Sequence, residues 1–168
     1  MVKNHHALDV TPFHYEDFLP GQRFVSPLRE PLDAAAIKEF ATQYDPQPQH
    51  TDEEAATQGR YGGLIASGWH TASVTMRMLM GGGLPPIAGG SVGAGVESLN
   101  WPRPVRPGDT LSVETEVLEK RLSRSRPEFG LVRFRATTLN QNGEKVQEMT
   151  STLFVPRREA GGEVDGQG

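Results

Sequence analysis

Asp45 and His50 stand five positions apart in the stretch YDPQPQHTDEEAATQGRYGGLIASGWH, residues 44–70. An acid and an imidazole so spaced can hold one water or one proton between them if the chain linking them is stiff. Pro46 and Pro48 bracket Gln47. Each proline fixes its own φ and pushes the residue before it towards extended geometry, so the link is expected to be a kinked, non-helical loop. Ser67 and Gly68 then open an apolar helical stretch. A stiffly held acid–base pair beside a fresh helix N-terminus suits proton-transfer chemistry on a carbonyl compound.

The elements that position these residues follow from spacing. Asp33 is a good N-cap, and after it Ile37, Phe40, Ala41 and Tyr44 fall on one helical face that must end by Asp45. Thr51 and Glu54 form a capping box for a short helix to about residue 57, which Gly59, Gly62 and Gly63 end. Ser67 caps a longer helix from Gly68 to about Met80. Its apolar residues (Trp69, Ala72, Val74, Met76, Met78, Leu79 and Met80) occupy most faces, the pattern of a largely enclosed helix. Gly81, Gly82 and Gly83 stop it. Residues 22–26, 92–101, 110–122, 131–140 and 144–155 read as strands by β-branched content and partial alternation. PRPVRPGD, residues 102–109, is a proline-rich turn, and Asn142-Gly143 is a hairpin signal. Early helices and a late antiparallel meander make an α+β domain, about five strands wrapped around one helix. The domain spans residues 15–156. A polar, mobile segment precedes it at 1–14, and a Gly- and charge-rich tail at 157–168 is expected to be disordered.

Composition narrows the function further. A chain of 168 residues is one domain. A net charge of -4 with both signs present gives no case for nucleic acid or an anionic membrane surface. The lack of cysteine excludes disulfides, thiolate metal sites and a cysteine nucleophile. No apolar run approaches the ~20 residues of a membrane helix. MVKNHHALDV has no apolar core of a secretory signal, so a cytoplasmic protein is expected.

Competing chemistries fit less well. Ser67 is an N-cap and not a nucleophile, because Ile65 and Trp69 occupy the glycine positions of G-x-S-x-G. Asp45, His50, Asp52 and His70 show no recognised metal-ligand spacing, and Asp52 and Glu54 are explained by a helix start. His5 and His6 read as a solvated tail, so no metal is expected. GGSVGAG leads into a strand instead of joining strand to helix, which is not a nucleotide-binding arrangement.

These residues together resemble the MaoC-like hydratases, the (R)-specific enoyl-CoA hydratase branch of the hotdog fold. The family motif is D-x-N-P-x-H, an acidic helix start, then an apolar dipeptide and H-G opening the central helix. Here it stands as Asp45-Pro46-Gln47-Pro48-Gln49-His50, Asp52-Glu53-Glu54-Ala55 and Leu64-Ile65-Ala66-Ser67-Gly68. VRPGDTL before a long strand also fits, and the likeness runs from about Tyr15 to Pro156. Gln47 replaces the family's Asn, Ser67 replaces its His, and His70 is an additional imidazole.

The resemblance implies a hotdog fold and a carbon–oxygen lyase: water adds to a 2-enoyl thioester, of CoA, to give the 3-hydroxyacyl thioester. It implies that Asp45 and His50 hold the water. His50 takes its proton during attack on Cβ; Asp45 orients it and can deliver a proton to Cα. Which group does which stays open, because coupled sites titrate as a pair. The Gly68 N–H is the candidate oxyanion donor, beside the plainer reading of a tight helix start against the sheet. Gln47, Ser67, Trp69 and His70 are candidate substrate-binding residues. Arg103 and Arg106 either meet CoA phosphates or are simply solvated. Met76, Met78 and Met80 are core or an adaptable acyl lining. No cofactor is implied beyond CoA as carrier, and the partner expected is a second copy in a homodimer or larger homo-oligomer, with sites near the seam. A thioesterase on the same fold and a non-catalytic acyl-CoA-binding subunit are the alternatives.

Overall fold

The computed structural model describes residues 11–158. Its frame is an antiparallel sheet in the order β1-β4-β5-β6-β3, where β1 is Arg23–Val25, β3 Val92–Asn100, β4 Thr110–Leu122, β5 Phe129–Leu139 and β6 Lys145–Pro156. A two-residue strand β2, Glu30–Pro31, pairs with β4 beside this path. The expected five strands are thus present, with one short addition. Alternation built the long strands: Leu111, Val113, Thr115 and Val117 of β4, and Val132, Phe134, Ala136 and Thr138 of β5, are all buried. Residues two apart share a face, so both rows point to the same core. The β5–β6 hairpin turns where Asn140 Oδ1 accepts the N–H groups of Asn142 and Glu144 at 3.0 Å, while Gly143 takes φ +74°. That turn sets a register that places Thr138 opposite Gln147.

The helices lie between this sheet face and the solvent. α1 is Ala34–Tyr44, capped by Asp33 with its Oδ1 2.8 Å from the Ala36 nitrogen, and buries Ile37 and Ala41. α2 is Pro48–Thr51, α3 is Glu53–Gln58, and α4 is Gly68–Met78 followed by a π turn, Leu79–Gly83. Phe18, Ile37, Met78 and the buried rows of β4 and β5 form one core.

Three local expectations need correction. The link between Asp45 and His50 is not wholly irregular, because Pro48 starts α2 and His50 lies within that single turn. Proline's missing N–H has no partner at a helix start anyway, so the residue that breaks one helix begins the next. Asp52, not Thr51, caps α3, accepting from Glu54 at 2.9 Å and Ala55 at 3.0 Å. Thr51 Oγ1 instead donates to the Gln47 carbonyl. Finally, α4 is not enclosed by apolar contact. Its buried residues are His70, Thr71, Thr75 and Met78, while Trp69 and Met76 are exposed, as is Met80 just beyond. Beside Met78 the buried side of α4 carries the hydrogen-bonded hydroxyls of Thr71 and Thr75, and hydroxyls with partners can be buried where a hydropathy pattern does not look for them.

Of the segment 1–14, residues 1–10, with His5 and His6, lie outside the described residues. Phe13 is docked: its N–H donates to the Pro86 carbonyl at 2.8 Å, and its ring packs on Phe18. Of the segment 157–168, residues 159–168 lie outside the described residues; Arg157 and Arg158 pair with Glu16 and Asp17. No helix among the described residues is long and apolar enough to cross a membrane.

Candidate active site

Asp45 is the C-cap of α1, its N–H bonded to the Ala41 carbonyl. Ser67 Oγ donates to its Oδ2 at 2.6 Å, and Gln47 Nε2 donates to its Oδ1 at 2.7 Å. These donors hold the Asp45 carboxyl below its ordinary pKa, the Ser67 bond most and the Gln47 bond next; partial burial opposes them, and the nearby His50 adds a smaller pull. The acid is therefore a fixed anion at neutral pH.

His50 is buried, at 6% exposure. Its Nδ1 lies 2.8 Å from the Ile65 carbonyl oxygen. A carbonyl only accepts, so Nδ1 carries the hydrogen, and in the neutral ring Nε2 is a free lone pair. That Nε2 is 3.5 Å from Asp45 Oδ2. The backbone bond thus selects the tautomer whose basic nitrogen faces the carboxylate.

Ser67 is fully buried and does two jobs with one hydroxyl. It donates its hydrogen to Asp45 and accepts the Trp69 N–H at 3.2 Å, which caps α4. The acid is thereby tied to the start of the helix. Ser67 takes the Trp69 N–H and leaves that of Gly68 uncapped at the positive end of the helix dipole. Gly68 also has a packing reason to be glycine: a Cβ there would lie 2.6 Å from Trp101 Cε2.

A cavity of about 450 Å³ opens beside these groups. His50, Gly68 and Thr71 line it, with Ile65, Ala66 and Val105 among its apolar wall and Trp101 against Gly68; Arg60, Tyr61 and Arg103 also contribute. Of the predicted site residues, Asp45, His50 and Gly68 come together around Ser67. His50 and Gly68 line the cavity directly; Asp45 stands next to the imidazole and is not itself part of the wall. None of the four candidate substrate-binding residues lines the cavity. Gln47 and Ser67 hold the Asp45 carboxylate. Trp69 is 60% exposed, edge-on to Trp101 with ring centroids 5.5 Å apart. His70 is buried and stacked on Phe40 of α1 at 4.5 Å, and burial lowers its pKa. Its place is the α1–α4 contact. Arg106 donates to the Tyr61 carbonyl at 2.7 Å and pins the 59–63 loop, while Arg103 pairs with Glu144 at 3.6 Å.

Trp101, Thr71 and Tyr61 line the cavity and the Ile65 carbonyl orients His50, and sequence reasoning named none of the four as a site group. The tryptophan beginning WPRP carried a weak signal, since a large aromatic just before a double-proline turn is held at a fixed place. The carbonyl carried none.

Ser67→Ala tests the shared hydroxyl. Loss of the cap costs about 1 kcal/mol. Loss of the bond to Asp45 lets the carboxyl pKa rise. A depressed carboxylate adds stability that is present above its unfolded pKa and lost as pH falls through the folded value. The gap between wild type and variant in urea unfolding should therefore be widest at neutral pH and narrow on acidification through the carboxylate range. A gap that does not change with pH would remove Asp45 from the account of Ser67.

An antiparallel sheet packed on one face against helices, with an acid and an imidazole held beside the first turn of α4, is the hotdog arrangement. Residues 17–139 match the family described as MaoC like domain. The chain belongs to that family, a hydratase/dehydratase class on the hotdog fold. Over 123 residues it is 35% identical to the uncharacterized protein YdeM of Bacillus subtilis, covering 72% of this chain and 84% of that protein. The crystal structure of a MaoC-like dehydratase from Rhodospirillum rubrum matches at 53% identity and a TM-score of 0.82, over 87% of this chain and 98% of that one. An (R)-hydratase from A. caviae involved in PHA biosynthesis matches at 26% identity and a TM-score of 0.66, over 84% of this chain and 99% of that one.

Proposed function

We propose that the protein adds water across the double bond of a 2-enoyl thioester carried by CoA, and runs the reverse dehydration at the same site. The observation that carries this reading is the free Nε2 lone pair of His50, 3.5 Å from the Asp45 carboxylate, in a cavity that Gly68 also lines. Water held by the two groups attacks Cβ and gives its proton to Nε2. The electron pair of the double bond moves to the thioester, and negative charge develops on the carbonyl oxygen. The Gly68 N–H and the helix dipole face that charge. The imidazolium then returns its proton to Cα, so H and OH have been added and the base is restored. Asp45 stays ionised, orients the water and stabilises the imidazolium. The depressed pKa of Asp45 favours this division of labour over a protonated Asp45 as donor. Addition of water changes no oxidation state overall, so no redox cofactor is called for.

Arg60 and Arg103 in the cavity wall support a carrier bearing phosphates. A homodimer belongs to the same reading. β3 is an outer strand of the sheet, with Val92 and Val96 about 60% exposed, and α4 also exposes Trp69 and Met76. Pairing of two such edges would cover both. A cytoplasmic site of action completes the proposal. The test is one enoyl-CoA followed in two channels: loss of enoyl conjugation and release of free thiol. Conjugation lost without thiol is the expected result. Thiol release would favour the thioesterase, and saturable binding with neither change would favour a silent subunit.

A further inference from the structure

Trp101 follows the last residue of β3, and its indole is held from several sides. Nε1–H donates to Gln147 Oε1 at 2.8 Å. Gln147, on β6, is completely buried, and its Nε2 donates to Thr75 Oγ1 of α4 at 3.0 Å. Thr75 Oγ1 donates to the Thr71 carbonyl at 2.8 Å, which leaves Thr138 of β5 as the donor in the 2.8 Å Thr75–Thr138 contact. Each of the four donor groups in this chain has an acceptor. One ring face lies against Gly68, close enough to exclude a Cβ, and Trp69 meets the ring edge-on.

A fully buried glutamine is costly to desolvate, and an aliphatic residue would need no partners there. What the glutamine adds is a fixed orientation for the indole. The indole in turn stands in the cavity wall beside the amide that a thioester carbonyl must reach.

We propose that Trp101 is the specificity-determining wall of the site, and that Gln147 is the positioning residue that sets it. The locked ring confines the acyl group to short chains, because any group extending past the reacting carbons meets an indole that cannot swing aside. This rests on the thioester reading above.

The experiment measures kcat/KM for crotonyl-CoA and 2-decenoyl-CoA, and in parallel the binding of the saturated butyryl-CoA and decanoyl-CoA by calorimetry. Wild type should prefer the short member of each pair. An extra methylene in an apolar pocket is worth about tenfold or more, so Trp101→Ala should move the long-to-short ratio by at least about tenfold, mainly through KM and Kd. Trp101→Phe should move it less. Gln147→Leu should move it in the same direction as Trp101→Ala although Gln147 does not line the cavity, a change that loss of stability alone would not produce. If Gln147→Leu does not fold, Gln147→Met takes its place, and the half-exposed Trp101 variants carry the test of the wall. Wild type that binds both saturated thioesters, with ratios unmoved in Trp101→Ala, overturns this inference and leaves the hydratase reading standing. Wild type that binds neither overturns both.

Discussion

His50→Ala should lower kcat for hydration of an enoyl-CoA by about 10²–10⁴, the range that a positioned general base contributes. The argument is one of tautomer and geometry. The Ile65 carbonyl commits Nδ1 as a donor, so Nε2 is left as the basic atom facing Asp45. The described residues place no other imidazole in that wall, since His70 is stacked on Phe40 away from it. The substitution leaves the Ile65 carbonyl without its partner, which costs about 1–3 kcal/mol, so the variant must be assayed well below its lowered melting temperature. Asp45→Asn keeps the shape and removes the charge. It should also lower kcat, because the attacking water loses the anion that orients it and the imidazolium loses its counter-charge. Steady-state kinetics on both variants checks the pair; wild-type kcat in both would separate these residues from the chemistry.

Gly68→Ala should cost a further factor of about 10²–10³ in rate, the size of a lost oxyanion donor, although the N–H itself survives the change. The added methyl would stand 2.6 Å from Trp101 Cε2, and 2.7 Å from Cδ2. Contacts that short are not tolerated, so either the ring or the first turn of α4 must move. If the ring moves, the Gln147 bond breaks; if the helix moves, Ser67 and with it Asp45 move. A double-mutant cycle separates packing from chemistry. Trp101→Ala in the Gly68→Ala background removes the clash and should recover part of the loss. Full additivity would mean that the ring is not what the glycine accommodates.

Much of the frame could be read from single residues. The alternation of Leu111, Val113, Thr115 and Val117 located β4 at residues 110–122, and Asn142-Gly143 located the hairpin. Asp33 capped α1 as its type requires. The acid and base were legible because Pro46 and Pro48 make a five-residue spacing rigid. Other features depend on residues distant in the chain. Ser67 and Asp45 are 22 positions apart, and nothing local says that a helix cap also donates to an acid. The polar face of α4 was hidden because Thr75 is burial-tolerant only through Thr138 and Gln147, 63 and 72 positions away. Pro48 was ambiguous by nature, since the same ring closes one helix and opens another. Thr51 and Asp52 are both competent caps, and the choice between them was made by the α2 turn, where Thr51 bonds back to Gln47. Trp101 escaped because its importance lies in what it touches and not in its neighbours along the chain.

The most direct measurement is a crystal structure with 3-hydroxybutyryl-CoA bound. The hydroxyl oxygen should sit within hydrogen-bond distance of His50 Nε2 and Asp45, and the thioester oxygen should accept from the Gly68 N–H. A hydroxyl bound away from the imidazole, with the thioester turned from the start of α4, would contradict the account.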